Sequence, residues 1–273
     1  INNIVTKFGI EVSHVSPTDV DEWKAAVKAN TKLLFLETPS NPLGEVANLE
    51  ALAELAHGIG ALLVVDNSLL SPVGSQPLKH GADISVSSAT KAIDGHGRVM
   101  GGVLAGSEEL MAQVAMYCNS CGLAMSPFNA WQLLSGVETL SLRMEKQFDN
   151  ALKIAQWLQA QPQVQAVYYT GLPDHPQAAL IRKQQNGGGI VIGFEVADQE
   201  AAWKVVDGVE LFSRTANLGD VRSTITHPWT TTHGRMQPEE KLAAGIRPGL
   251  VRLSVGLEYV DDLVDDLKQA LAR

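Results

Sequence analysis

Cysteine is nearly absent: Cys118 and Cys121 are the 2 thiols in 273 residues, too few for a disulfide framework and in keeping with a reducing cytoplasm. Positive charge is in deficit. Lys and Arg number 21 against 30 Asp and Glu, a formal net charge of −9. No basic block offsets it, which argues against nucleic acid or an anionic membrane surface as partner. No uninterrupted apolar run approaches the length of a membrane-spanning helix, no basic-then-apolar export signal opens the chain, and internal repeats and low-complexity tracts are lacking. An initiator methionine is lacking too. The chain opens Ile1-Asn2-Asn3-Ile4 and reaches a strand-like stretch at 10–15 within a few residues, the look of a domain cut partway through. What is present is globular, with 45% hydrophobic and 19% charged residues over a length that suits one large or two ordinary domains.

Taken in order, Ser16-Pro17-Thr18-Asp19 reads as a helix start, with the helix running to about Ala29. The apolar run Leu33–Glu37 predicts a strand covered on both faces. Asn48 caps a second helix with Leu49, Leu52, Leu55 and Ile59 at helical spacing, closed by Gly58 and Gly60. Two further strands follow, 61–66 ending on Asp66 and 84–87 ending before Lys91, and then another at 99–105. Strand and helix alternating at such short intervals means crossover units and a mainly parallel sheet, in which ligands lie outside the carboxyl ends of the strands. One helical stretch over 126–160 is predicted to bridge to a smaller α+β domain, with strands at 164–169, 189–196 and 250–255 and helices at 201–206 and 259–271. The expected division is a large domain over 1–142 and a smaller one over 143–273.

Chemistry concentrates at Ser87-Ser88-Ala89-Thr90-Lys91, followed by a glycine-punctuated loop through Arg98. A lysine at the end of a strand, its amine partly shielded from water, is suited to Schiff-base chemistry. Ser88 and Thr90 offer hydroxyls to an anion beside it. An isolated S-x-T-K match is most often just a surface lysine. Here, however, Glu37 with Asn41, Asp66, and Ser88 to Lys91 fall at the carboxyl ends of three successive strands. Asp66 on its own reads as a cap for the turn at Asn67 and Ser68. Together with Lys91 it fits another role: pyridoxal phosphate calls for a lysine, a carboxylate that keeps its ring nitrogen protonated, and hydroxyls at its phosphate.

At these residues the chain closely resembles the Cys/Met-metabolism family of pyridoxal-phosphate enzymes, the transsulfuration enzymes. The motifs that carry the likeness are Glu37-Thr38-Pro39-Ser40-Asn41-Pro42, Val65-Asp66-Asn67, Ser88-Ala89-Thr90-Lys91 with the following Gly-His-Gly, Leu218-Gly219-Asp220 with Thr226-His227-Pro228, and Arg252 to Glu258. They run over essentially the whole chain. The resemblance implies an α/β fold of the aspartate-aminotransferase type, with a mainly parallel sheet plus a smaller α+β C-terminal domain. It implies pyridoxal 5'-phosphate as cofactor, held by Lys91, Asp66, Ser88, Thr90 and Asn41, with Lys91 also the catalytic proton shuttle. Arg252 is then the clamp for the substrate α-carboxylate, with Asn217 and Glu37 beside the substrate. Asn217 departs from the serine that several relatives carry there. The reaction implied is γ-replacement on an activated homoserine ester by sulfide, in methionine biosynthesis. A cysteine-using synthase or a lyase would share the same residues, and a fragment without the upstream part of the site would be inactive. Small-molecule substrates and a homo-oligomer, a dimer of dimers, are the implied partners.

Other features have plainer readings. Cys118-Asn119-Ser120-Cys121 spells C-x-x-C, but no second pair accompanies it, so it reads as coincidence. His227 and His233 read as loop-ordering groups and His96 as part of a backbone-shaping loop. Gly187-Gly188-Gly189 lacks the lysine and helix start of a phosphate loop and reads as a turn before a strand. No metal site is expected.

Overall fold

The computed structural model describes residues 2–273. Two short helices, α1 (Asn2–Val5) and α2 (Val20–Ala26), precede a sheet of β1 (Leu33–Glu37), β2 (Leu62–Asp66), β3 (Ile84–Ser88) and β4 (Gly102–Gly106). These strands lie side by side in chain order; β1, β2 and β3 are mutually parallel, and β4 returns antiparallel to β3. The crossover from β1 to β2 is α3 (Leu49–Gly58), and the one from β2 to β3 is the single turn α4 (Ser71–Gly74) with a 3-10 turn at Pro77–His80. Asn48 starts α3 by accepting the Ala51 N–H at 3.2 Å, and its apolar stripe, Leu49, Leu52 and Ala56, packs on Leu34, Leu36, Leu63 and Val65.

Helices α5 (Glu108–Ser120), α6 (Pro127–Glu138) and α7 (Leu140–Gln159) lead to a second sheet. In it, β5 (Ala166–Tyr168), β6 (Val191–Glu195), β7 (Ser213–Arg214), β8 (Thr224–Thr226) and β9 (Leu250–Ser254) are arranged β5-β6-β9-β8-β7, antiparallel except at β7·β8. The helices α8 (Ala178–Gln184), α9 (Gln199–Gly208), α10 (Pro238–Ala243) and α11 (Val260–Leu271) complete the chain. The core of this half joins Ile154, Leu158, Phe194, Val205, Val251, Leu253, Leu263 and Leu267, from α7, α9, α11 and the sheet. The boundary expected at 142/143 lies in the first turn of α7.

Four expectations from the sequence need correction. The stretch 10–15 pairs with no strand and is irregular. The helix expected from Ser16-Pro17 to about Ala29, α2, is shorter at both ends, Val20–Ala26: Asp19 is its cap, accepting from the N–H groups of Asp21 and Glu22 at 2.9 and 3.2 Å, while the Ser16 carbonyl accepts Trp23 Nε1–H at 2.9 Å. The helical stretch 126–160 is two helices, broken at Thr139 (φ −112°, ψ 8°), where the Thr139 hydroxyl accepts Arg143 Nε–H at 3.1 Å. Finally, β1 is covered on one face, that of Leu34 and Leu36; Leu33 and Phe35 on the other are 51% and 43% exposed.

Candidate active site

The strand ends define the site. Register places Glu37 beside Asp66 on adjacent parallel strands, and Asp66 beside Val86 of β3. Lys91 follows β3 by three residues, in a tight turn where its backbone leaves helical geometry (φ −90°, ψ −125°). Arg252 comes from the centre of β9 in the other sheet. It is buried, and its Nη1 reaches Asn41 Oδ1 at 3.4 Å while Nη2 donates to the Ala216 carbonyl at 2.7 Å. These residues share one electrostatic environment. Burial, then the Asp66 carboxylate, pushes the Glu37 carboxyl up to about 7, against the opposing pull of Lys91 and Arg252. Burial draws the Arg252 guanidinium down to about 10, with Glu37 opposing. Lys91, Asp66, Glu37, Arg252 and Asn41 are therefore brought together.

The Lys91 turn is braced from below. Arg143 of α7 donates to the carbonyls of Ala92 at 2.8 Å, Ile93 at 3.2 Å and Gly136 at 2.7 Å. Gly95 (φ +70°) passes so close to the Arg143 guanidinium that a side chain there would collide with it. The fully buried Asp94 carboxylate accepts the backbone N–H groups of His96 and Arg98 at 3.3 and 2.8 Å and pairs with the Arg98 side chain at 2.9 Å. From the opposite side Gly219 (φ +83°) presses on the lysine: a Cβ there would lie 2.7 Å from Lys91 Cβ. Its N–H is fixed by Ser254 Oγ at 3.0 Å.

Above this brace, several polar groups carry no hydrogen bond to the described residues. Lys91 Nζ, both oxygens of Glu37, Asp66 Oδ2 and the Ser88 hydroxyl are among them, and Arg252 Nε is buried without a partner. Asp66 Oδ1 does what a turn cap does, accepting the Ser68 N–H at 2.9 Å; its other oxygen remains available. An amine, an acid and a hydroxyl at the edge of one sheet, with a guanidinium N–H reaching them from the other, fit the aldehyde, ring nitrogen and anionic groups of pyridoxal phosphate with an amino-acid substrate. Thr90 fits less directly: its hydroxyl donates to the Gly101 carbonyl at 3.3 Å and accepts the Gly101 N–H at 3.0 Å.

Asn217 lies on an exposed loop; its backbone is engaged with the hydroxyls of Thr215 and Thr224. The neighbouring Ala216 carbonyl is what meets Arg252. The sequence reading missed that carbonyl along with Arg143 and Asp94, because backbone acceptors and distant braces leave no pattern in spacing. The histidine reading holds for His227, whose ring joins Thr230 Oγ1 at 2.8 Å and the Pro248 carbonyl at 2.7 Å. Among the described residues no cluster of three His, Cys, Asp or Glu could hold a metal ion. No helix there is long and apolar enough to cross a membrane.

A family model described as Cys/Met metabolism PLP-dependent enzyme matches residues 1–272. An O-succinylhomoserine sulfhydrylase of Pseudomonas aeruginosa is 51% identical over 267 residues, 97% of this chain and 66% of that protein. A chloroplastic cystathionine beta-lyase of Arabidopsis thaliana is 42% identical over 268 residues, 98% of this chain and 58% of that one. Among solved structures, the cystathionine gamma-lyase CalE6 of Micromonospora echinospora superposes with a TM-score of 0.96 at 36% identity, over 99% of this chain and 72% of its own. The chain thus spans about two thirds of the length of the sulfhydrylase it matches, 66%.

Proposed function

The chain belongs to the Cys/Met metabolism PLP-dependent enzymes, whose cofactor is pyridoxal 5'-phosphate, and from that premise we propose that it carries out γ-replacement on an activated homoserine ester in methionine biosynthesis. The substrate pair is O-succinylhomoserine and sulfide, the products homocysteine and succinate. The observation that carries this reading is the convergence of Lys91, Asp66 and Glu37 at the strand ends of one sheet with Arg252 from the other. The 51% identity to a sulfhydrylase supports the choice of substrate.

When bound, the cofactor supplies an electron sink that lets an amino acid release the proton on its α carbon. The chain's residues then divide the work. Lys91 would hold the cofactor through its amine, and the same amine would carry protons from the α and β carbons of the substrate. Asp66 Oδ2 holds the proton on the ring nitrogen. The unengaged Ser88 hydroxyl would meet the phosphate, with Thr90 joining it only by giving up its bonds to Gly101, and Asn41 stands beside Arg252. The Arg252 fork takes the substrate α-carboxylate with the donors that Asn41 and Ala216 leave unengaged. The γ carbon loses its bond to the succinyl oxygen and gains one to sulfur, so succinate leaves with the electron pair that sulfide replaces.

We place the protein in the cytoplasm, in keeping with two free thiols. We also propose a homo-oligomer, a dimer of dimers, to cover the apolar side chains exposed on α5 and α6: Met116 (66%), Phe128 (60%), Trp131 (63%) and Leu134 (62%). A large unit over 1–142 and a smaller one over 143–273, with the site between their sheets, completes the proposal. The second reading, a lyase or a cysteine-using synthase, is favoured by the 42% identity to a cystathionine beta-lyase. Assaying the cofactor-loaded protein on O-succinylhomoserine with sulfide, with cysteine, and with neither separates the readings. Homocysteine formed with sulfide is the expected result; cystathionine formed from cysteine, or 2-oxobutyrate released without a thiol, would replace this assignment.

A further inference from the structure

Glu37 has a chemistry that a substrate contact does not explain. It is the register partner of Asp66, and on neighbouring parallel strands, about 5 Å apart, paired residues project to the same face. Two carboxyls are thereby set side by side in a largely buried cleft. Like charges so placed do not both ionise freely; one of them keeps a proton. The two differ in their hydrogen bonds. Asp66 Oδ1 accepts the Ser68 backbone N–H at 2.9 Å. No hydrogen bond of that kind reaches Glu37 from the described residues.

We infer that Glu37 and Asp66 work as a carboxyl pair, in which Glu37 keeps the proton and Asp66 carries the negative charge toward the ring nitrogen. Glu37 is then a positioning residue that acts through Asp66. For what Asp66 faces, the inference rests on the proposed function above. The groups facing Glu37 are Asp66 on β2, Lys91 after β3 and Arg252 on β9. The two cations favour ionisation; burial and Asp66 outweigh them and hold the carboxyl at about 7. Glu37 therefore gains its charge across neutrality. Burial is the larger influence on Glu37, and the strand register adds the neighbouring Asp66 carboxylate to it.

The test uses Glu37→Gln, which fixes the neutral form, and Glu37→Asp, which keeps a titrating acid on a shorter arm. In the protein loaded with pyridoxal 5'-phosphate, the visible absorbance of the bound cofactor should titrate with a step near pH 7. Cofactor affinity should change across that step by about tenfold, the equivalent of one unit of coupling. Glu37→Gln should abolish the step, and Glu37→Asp should retain one at a shifted midpoint. Infrared difference spectra of the cofactor-free protein, taken below and above neutrality, should contain a protonated-carboxyl band that Glu37→Gln removes. A step that survives in Glu37→Gln, or cofactor uptake by the wild type with no step, overturns the inference while the functional reading stands. If the wild type takes up no cofactor, the functional reading falls instead. The infrared band then decides alone: its loss in Glu37→Gln supports the pair, and its persistence overturns it.

Discussion

The turn below Lys91 and the cleft above it are built to opposite rules. In the turn, the Arg143 N–H groups meet the carbonyls of Ala92, Ile93 and Gly136, and Asp94 is saturated by Arg98 and two backbone N–H groups. In the cleft, Arg252 Nε is buried without a partner, and the half-buried Glu37 and Asp66 carboxyls lie beside it. Buried polar groups are normally satisfied, so a saturated floor under an unsaturated surface separates what must stay fixed from what must bind. The floor holds the lysine at a backbone geometry outside the helical region, and the surface meets the ligands.

Three substitutions test that contrast, in order of expected effect. Arg143→Met fills the same volume and orphans three buried carbonyls. At about 1 kcal/mol or more for each, it should cost about 3 kcal/mol of stability, read as a lowered midpoint of urea unfolding; an unchanged midpoint would mean that the floor is not braced there. Arg252→Lys keeps a charge and loses the fork. It should raise KM for the homoserine ester about tenfold or more, with stability nearly kept, because a charge-assisted hydrogen bond contributes about 1.5–3 kcal/mol. A fall in kcat with constant KM would place Arg252 elsewhere in the reaction.

The last effect is on stability against pH, read as a slope rather than as a single midpoint. The folded protein holds the Glu37 proton up to about 7, where an ordinary glutamate releases it near 4.5. Between those values the folded state binds more protons than the unfolded one, so this group's contribution is complete below the lower value and is lost as pH rises through the upper one. Glu37→Gln should flatten that part of the profile. Unfolding midpoints of the two proteins measured at several pH values check it, and parallel profiles would show that Glu37 titrates normally.

Much of this was legible in the sequence, for identifiable reasons. Strands β2 and β3 declare themselves through short apolar runs, and each places a polar group, Asp66 or Ser88, where the run stops. The order of crossovers then puts those groups at one sheet edge without any knowledge of contacts. Helix limits were less legible. Asp19, rather than Ser16, caps α2 because its carboxylate reaches two N–H groups, a choice that turns on backbone angles. The break at Thr139 follows no proline or glycine and involves a hydroxyl–guanidinium contact with Arg143. The open face of β1 was illegible for a different reason: an apolar run states that a strand can be covered on both sides, and whether anything covers it depends on other segments. Likewise, the Ala216 carbonyl beside Arg252 could not be read from residue type, because every residue has one.

The central claim is that Lys91 and Asp66 flank one cofactor. The direct measurement is the visible absorbance of the purified protein on adding pyridoxal 5'-phosphate, for wild type and Lys91→Ala side by side. A band that forms with the wild type and is absent from Lys91→Ala, together with its turnover, is the predicted result. An unchanged band or surviving turnover in Lys91→Ala would contradict the account.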